Sequence, residues 1–430
     1  MTRPLAVGIA GLGTVGAGVL RLLRDNAALI AARAGRPIEV VAVSARDRSR
    51  DRGITLHGLR WVDDPIALAR DPAIDVVVEL IGGANGPARA LVESALDAGK
   101  PVVTANKALI AEHGATLAAH CERSGAKIRF EAAVAGGIPV IKALREGLAA
   151  NRVSSVTGIF NGTCNYILSR MRQEKLGFAA VLADAQAHGY AEADPSFDID
   201  GVDTAHKLAI LAAIAFGRQI DFATVHVEGI RRVSALDITF AEELGYRIKL
   251  LGIARATEAG IETRVHPAMV PLASPLAHVD GVNNAVVAEA DPVGAIVLAG
   301  RGAGAGPTAS AVVADLIDLA RGRDTPMLGV VTASLENRKS VPMGAHRGAY
   351  FLRLMVVDQP GVIADVTAVL RDHGISLESM LQHGRSPGEA VPVVLVTHIT
   401  RESEMRAALD QLAALDSVLE TPALIRIEPA

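Results

Sequence analysis

Leu5-Ala6-Val7-Gly8-Ile9-Ala10-Gly11-Leu12-Gly13-Thr14-Val15-Gly16 is the stretch that decides the fold. Its first six residues are apolar or glycine and read as a buried parallel strand. The G-x-G-x-x-G run comes next. Gly11 permits a tight turn, Gly13 lets a pyrophosphate approach the backbone, and Gly16 lets the following helix pack on the strand. Thr14 and Val15 open that helix, whose N-terminus favours phosphate charge. Alone the pattern is weak, and a plain strand-to-helix turn would satisfy it. A buried strand before it and helical periodicity after it, from Val15 to about Ala34, make the dinucleotide reading the better one.

Outward from the loop, strands and helices alternate. Gly35-Arg36-Pro37 stops the first helix and Ile38–Ser44 is a second apolar strand. Residues 65–70, 87–98 and 108–124 read as helices, and residues 74–81, 101–104 and 127–131 as strands. This order implies βαβ units and a parallel sheet over residues 1–131. Beyond Ala132 the pattern changes. Residues 151–158 look extended, residues 164–173, 178–187 and 203–217 helical, and residues 225–300 mix the two. Residues 310–321 are a helix, and the polar, turn-rich stretch 323–347 reads as a linker. From residue 348 a βαββαβ order predicts a compact α+β unit.

The 430 residues suggest two or three domains. A formal charge of −4 and a 3% aromatic content speak against a nucleic-acid surface, and no apolar run spans a bilayer. Cys121 and Cys164 are the only cysteines, which excludes a disulfide framework and a Cys-rich metal centre. With no leader-like segment, a reducing cytoplasm is expected.

The second strand ends Val43-Ser44-Ala45-Arg46-Asp47-Arg48, with no acid at the position that would read a ribose 2′-hydroxyl. Arg46 and Arg48 favour a 2′-phosphate and hence NADP over NAD; the alternative is that both are solvated loop charges. Thr104-Ala105-Asn106-Lys107 follows the fourth strand, at the end of the sheet where ligands bind, so Lys107 is expected near a nicotinamide. Otherwise it is a surface lysine at a helix start.

The stretch His188 to Lys207 carries Glu192, Asp194, Asp198, Asp200 and Asp203. Asp203 and Lys207 share one helix face. An acidic helix start with a surface ion pair explains the spacing. So does a site in which carboxylates hold an α-ammonium group and a lysine of lowered pKa moves a proton.

Residues 185–207, with Gly189, Asp194-Pro195, Asp198, Gly201, Asp203 and Lys207, closely resemble the signature of homoserine dehydrogenases. Phe160-Asn161-Gly162-Thr163, Glu131 to Pro139 and Gly302-Ala303-Gly304-Ala305-Gly306 also look like that family. The resemblance implies a Rossmann domain (1–131, completed by 302–322), an α+β catalytic and dimerisation domain (132–322), and reversible oxidation of L-homoserine to L-aspartate 4-semialdehyde with NAD or NADP. It makes Lys207 the proton donor and acceptor with Lys107 beside it, and Glu192, Asp198 and Asp203 the substrate-holding carboxylates. Gly302 and Gly304 return to the cofactor. Carbonyls of Val134, Gly136 and Ile138, with the Glu131 carboxylate, hold a monovalent cation, Na or K; a tight strand-to-helix turn explains the same residues. The tail resembles an ACT domain (348–430), with threonine as the natural effector and a ligand-free dimerisation module as the alternative. A homodimer or homotetramer is expected.

Overall fold

Two sheets organise the chain in a computed structural model that describes residues 3–384 and 386–429. The first is parallel. In chain order its elements are β1 (Leu5–Ala10), α1 (Thr14–Asp25), α2 (Ala27–Ala34), β2 (Ile38–Ser44), β3 (Arg60–Trp61) and α3 (Ile66–Arg70). There follow β4 (Val76–Glu79), α4 (Pro87–Asp97), β5 (Val102–Thr104), α5 (Lys107–Ser124) and β6 (Ile128–Arg129). The strands lie in the order β3-β2-β1-β4-β5-β6, so the chain reverses direction across β1 and β4, where open α/β sheets bind ligands. The helix read as continuous to Ala34 is two: Asn26 ends α1 and starts α2. The short strand β3 has too few residues to show a period and escaped the sequence reading.

The middle of the chain begins with α6 (Val140–Lys142), β7 (Arg152–Ile159), α7 (Gly162–Glu174), α8 (Phe178–Ala187), α9 (Ser196–Ile199) and α10 (Val202–Phe216). Then come β8 (His226–Val227), α11 (Ala235–Glu243), β9 (Tyr246–Thr257), β10 (Gly260–Pro271), β11 (Asn283–Asp291) and β12 (Gly294–Arg301). Helix α10 is buried nearly all round (Val202-Asp-Thr-Ala-His-Lys-Leu-Ala-Ile-Leu), because it packs between this sheet and α5. Helix α12 (Ala305–Ala320) crosses back: its Ala309, Val312 and Leu316 share a core with Val7, Ile9 and Leu20.

The tail holds β13 (Arg347–Val357), α13 (Val362–Asp372), β14 (Leu377–Gln382), β15 (Ala390–Thr397), β16 (Thr400–Arg401), α14 (Glu402–Ala413) and β17 (Ala423–Ile427). Tyr350, Leu352, Leu354, Val366, Leu395, Met405 and Leu412 form its own core. Its sheet, however, does not stand alone. Strand β17 pairs in parallel with β10, giving one sheet in the order β12-β11-β7-β9-β10-β17-β13-β15-β14. Residues 323–347 are likewise docked. Met327 and Leu328 are buried, Arg129 donates to the carbonyls of Arg323 and Thr325, and Ile261 exchanges backbone bonds with Lys339 and Val341. A polar sequence with turn residues reads as a linker, but its backbone groups find partners on the body of the protein.

Charge reinforces this seam. Arg426 of β17 is fully buried and forms paired bonds with Glu228 at 2.8 and 3.0 Å and with Glu402 at 2.5 and 2.9 Å. Arg264 of β10 pairs with Glu428, and Arg353 of β13 with Asp237 at 2.6 Å, within the capping box that starts α11. Buried His266 accepts from Arg264 at Nε2 (2.8 Å) and donates from Nδ1 to the Pro267 carbonyl (2.9 Å). Among the described residues no helix is long and apolar enough to cross a membrane.

Candidate active site

The glycine loop joins β1 to α1 through Gly11 at φ +99, where any Cβ would also overlap the Leu80 carbonyl. Both facts demand glycine there. At Gly13, by contrast, a Cβ would meet nothing, so the backbone faces open space. That space is part of a cleft of about 450 Å³ lined by Gly11, Leu12, Gly13, Ser44, Arg46 and Pro65, among others. Thr14, Val15 and Gly16 follow as the first turn of α1, with no acidic side chain there to repel an anion. The cleft, bare backbone and helix start fit a dinucleotide.

Arg46 lines this cleft, and so do Arg50 and Arg52, which the sequence reading left out although they belong to the same basic run. Arg52 donates to the carbonyls of Leu12 and Asp47, tying the strand-end loop to the glycine loop. Arg48 does not line the cleft but lies beside it, its guanidinium 5.8 Å from the centre of the Trp61 ring, which Arg52 also approaches at 5.6 Å. Opposite, buried Glu79 accepts from the amides of Ile81 (2.7 Å) and Gly82 (3.0 Å) and from the Thr104 hydroxyl (2.5 Å). Asn106 caps α5 by accepting from Leu109 and donates to the Gly83 carbonyl at 2.8 Å. These bonds satisfy backbone groups at two strand ends and fix where Lys107, the first residue of α5, projects.

Lys107 meets residues from the middle of the chain. Its ammonium is 2.6 Å from Asp203 Oδ1, while Asp203 Oδ2 accepts from Lys207 at 2.7 Å. One buried carboxylate therefore joins both lysines. Asp203 and Lys207 occupy successive turns of α10, which starts at Gly201. Asn161, the cap of α7, donates one amide to both Asp203 (2.9 Å) and Asp198 (2.8 Å). Lys207 also donates to the Phe160 carbonyl at 2.7 Å. The Phe197 ring lies under Lys107, 5.3 Å from its nitrogen. Glu192 stands apart on an exposed loop, where its carboxylate has no partner among the described residues.

Burial, assisted by the charge of Lys107, lowers the pKa of Lys207, and Asp203 opposes that shift. Asp203 itself is held well below the carboxylate range, because the two lysines outweigh its burial. A buried lysine whose charged form is disfavoured by burial, beside a permanent carboxylate, suits proton transfer. The sequence marks Asn161 only as part of the Phe160–Thr163 segment. An Asn directly before a helix start was the available signal for its capping role, but not for its grip on two carboxylates 37 and 42 residues away.

The remaining segments converge on the same region. Gly302 and Gly304 precede α12, whose first residue, Ala305, packs on Gly18 of α1. Gly136, at φ +52, lies against the Gly302 carbonyl. Near it, Glu131 accepts from the amides of Ile141 and Lys142, both at 2.9 Å, and its own amide donates to Asp315 at 2.8 Å. Burial pushes Glu131 up to about 7 and Asp315 up to about 6, each carboxyl raised chiefly by desolvation. Asp315 Oδ1 is buried without a partner among the described residues. The Ile138 carbonyl accepts from the Val140 amide at 2.8 Å, leaving a second lone pair. Under-compensated oxygens of this kind fit a hard monovalent cation. The described residues contain no cluster of three His, Cys, Asp or Glu side chains suited to a metal ion.

Comparison with known families agrees along the whole chain. A homoserine dehydrogenase model matches residues 139–317, a homoserine dehydrogenase NAD-binding model residues 11–131, and an ACT model residues 350–417. The chain is 48% identical over 435 residues to the homoserine dehydrogenase of Pseudomonas aeruginosa, covering 99% of each. To that of Neisseria gonorrhoeae it is 46% identical over 432 residues, again covering 99% of each. A crystal structure of a homoserine dehydrogenase from Thiobacillus denitrificans superposes with a TM-score of 0.94 at 49% identity, covering 99% of this chain and 98% of that one.

Proposed function

The chain belongs to the homoserine dehydrogenase family of oxidoreductases, with an NAD-binding Rossmann domain and an ACT domain, and on that premise we propose how its own residues divide the work. The carrying observation is the single buried carboxylate of Asp203 between Lys107 and Lys207. Lys207 takes the proton of the L-homoserine hydroxyl as L-aspartate 4-semialdehyde forms, and returns it in reverse. The bound nicotinamide supplies the hydride acceptor or donor. Lys107 polarises the same oxygen and, as a second positive charge, helps keep Lys207 ready to deprotonate. Asp203 orients both ammonium groups, and Asp198, steered by Asn161, receives the substrate ammonium together with Glu192 from the exposed loop before α9. Groups placed in this way are worth about 10²–10⁴ in rate.

Gly11, Gly13, Thr14, Val15, Gly16, Gly302 and Gly304 hold the dinucleotide. The preferred form is NADP, an assignment supported by Arg46 and Arg50 beside the cleft; Arg48 supports the basic field of that loop from its place over Trp61. A monovalent cation, Na or K, is held at Glu131, Val134, Gly136 and Ile138, supported by the burial-raised carboxyl of Glu131 and the unpartnered Asp315 Oδ1 beside it. Threonine acts as feedback effector at the ACT domain, which the Arg426 network ties to the catalytic body. The protein works in the cytoplasm as a homodimer or homotetramer, supported by two free buried cysteines and by the unpaired edge of β12 with its exposed Val297.

Initial rates with L-homoserine and each cofactor, with and without threonine, test these assignments together. Parent activity that favours NADP, falls with threonine and drops at least about 10²-fold in Lys207→Ala is the expected result. A Lys207→Ala enzyme within about 3-fold of the parent overturns the proton-transfer role.

A further inference from the structure

The carbonyl of Phe160 serves two donors. Lys207 Nζ is one, at 2.7 Å, and Asn284 Nδ2 is the other, at 2.9 Å. Asn284 is buried on β11, opposite Gly300 of β12. Its amide lies against Gly302: a Cβ on Gly302 would overlap the Asn284 Nδ2, Cγ and Oδ1 atoms. Gly302 does not have a left-handed backbone, so close approach, and not conformation, requires glycine here. One side chain thus touches both the acceptor of the buried lysine and the segment that leads into α12 and the dinucleotide loop.

The arrangement is not what packing alone would select. Asn284 Oδ1 is buried without a partner among the described residues, and such an atom destabilises a fold unless something else retains it. A carbonyl oxygen has two lone pairs. With one taken by the asparagine amide, the other is fixed in direction, and the oxygen is a poorer acceptor for an ammonium ion. Both effects act on Lys207: its placement is set, and its charged form is stabilised less. The other groups facing Lys207 are Asp203 on its own helix, Lys107 of α5 and Asp198 of α9, with Cys164 of α7 and the neighbouring His206.

We propose that Asn284 is a positioning residue for the dehydrogenase reaction, holding the Phe160 carbonyl and the Gly302 backbone together so that Lys207 and the cofactor-side segment keep one relative placement. This rests on the reading of Lys207 as the proton-transfer group.

The test uses the full-length enzyme and the pH profile of kcat/KM for homoserine oxidation, with thermal melts to verify folding. Loss of the Lys207 proton sets the acidic limb. In Asn284→Ala the Phe160 carbonyl belongs to Lys207 alone, so the limb moves up by about half a pH unit or more and plateau kcat falls about 10-fold. Asn284→Asp adds a negative charge and moves the limb further in the same direction. Gly302→Ala displaces the amide without removing it, so it reproduces the limb shift and serves if Asn284→Ala does not fold. In the Gly302→Ala/Asn284→Ala double variant the overlap is gone, and the loss is no greater than in Asn284→Ala alone. Lowered activity with an unmoved limb in the Asn284 variants, or simple multiplication of losses in the double variant, overturns the proposal. Lys207→Ala separates the levels: if it is inactive while the Asn284 variants match the parent, only this inference fails, whereas an active Lys207→Ala removes the reading beneath it.

Discussion

Asp203→Asn is the perturbation that asks most of the site, because it removes one charge and keeps the shape. Lys207 loses a counterion at 2.7 Å and Lys107 one at 2.6 Å. With an effective dielectric of about 20, each attraction is about 6 kcal/mol before desolvation is counted. Most of that is offset by the burial of the charges, and removing one partner of a buried pair costs about 3–5 kcal/mol. Lys207 limits the loss by shedding its proton. The variant is therefore expected to be about 3 kcal/mol less stable at neutral pH. Since Asp203 favours the charged form of Lys207, the acidic limb of kcat/KM moves to lower pH, opposite to the Asn284 variants. Plateau kcat falls about 10²-fold or more, because a neutral amide does not hold two lysines in register. Urea unfolding at pH 7 and the pH profile measure both effects. An unchanged urea midpoint with activity within 10-fold of the parent would refute the claim that this carboxylate organises the site.

Gly13→Ala adds a methyl where the protein itself offers no obstacle, so thermal stability is unchanged while the NADP Kd rises about 10-fold; equal affinity by fluorescence titration removes the cofactor from that space. Gly11→Ala meets both a left-handed backbone and the Leu80 carbonyl, and should cost about 1–3 kcal/mol in urea unfolding. Arg46→Ala should raise KM for NADP about 10-fold with little change for NAD, and equal effects on both cofactors would exclude a contact with a 2′-phosphate. The seam of the large sheet should weaken on acidification. His266 is kept neutral, its pKa well below the ordinary histidine value through burial and the nearby arginines, so the unfolded chain binds the extra proton and stability declines as pH falls below about 6.5. Glu228, Glu402 and Glu428 have depressed pKa values, so their contribution is present above about 4.3 and lost as pH falls below it. Urea midpoints from pH 7.5 to 3 should show both stages, with the first reduced in His266→Asn.

The parallel sheet was legible because its longer strands are short apolar runs bounded by glycine, proline or polar residues, as at Ile38–Ser44. The break at Asn26 was not, since apolar spacing continues through it. The pairing of Asp203 with Lys207 could be read from their spacing on one helix, but its partnership with Lys107 spans two domains and has no local trace. Asn284 and Glu79 were invisible for the same reason. Their roles come from which backbone carbonyls and amides lie within reach, and that is set by the packed fold. The tail was read as an independent unit because its own core is complete, while the bonds that fuse it to the rest are carried by isolated arginines and carboxylates that look like surface charge in a sequence.

The parallel pairing of β10 with β17 bears on any attempt to test the proposed feedback by cutting the chain near residue 347. Strand β10 would keep β9 on one side and β8 beside Arg264 and Val265 on the other, but its buried Ala268–Met269 edge, which β17 covers, would be exposed and Arg264 stripped of Glu428. An open edge of that kind is a template for a second copy. The truncated protein is thus expected to self-associate, and the proposed feedback is better tested by point changes in the tail than by its removal.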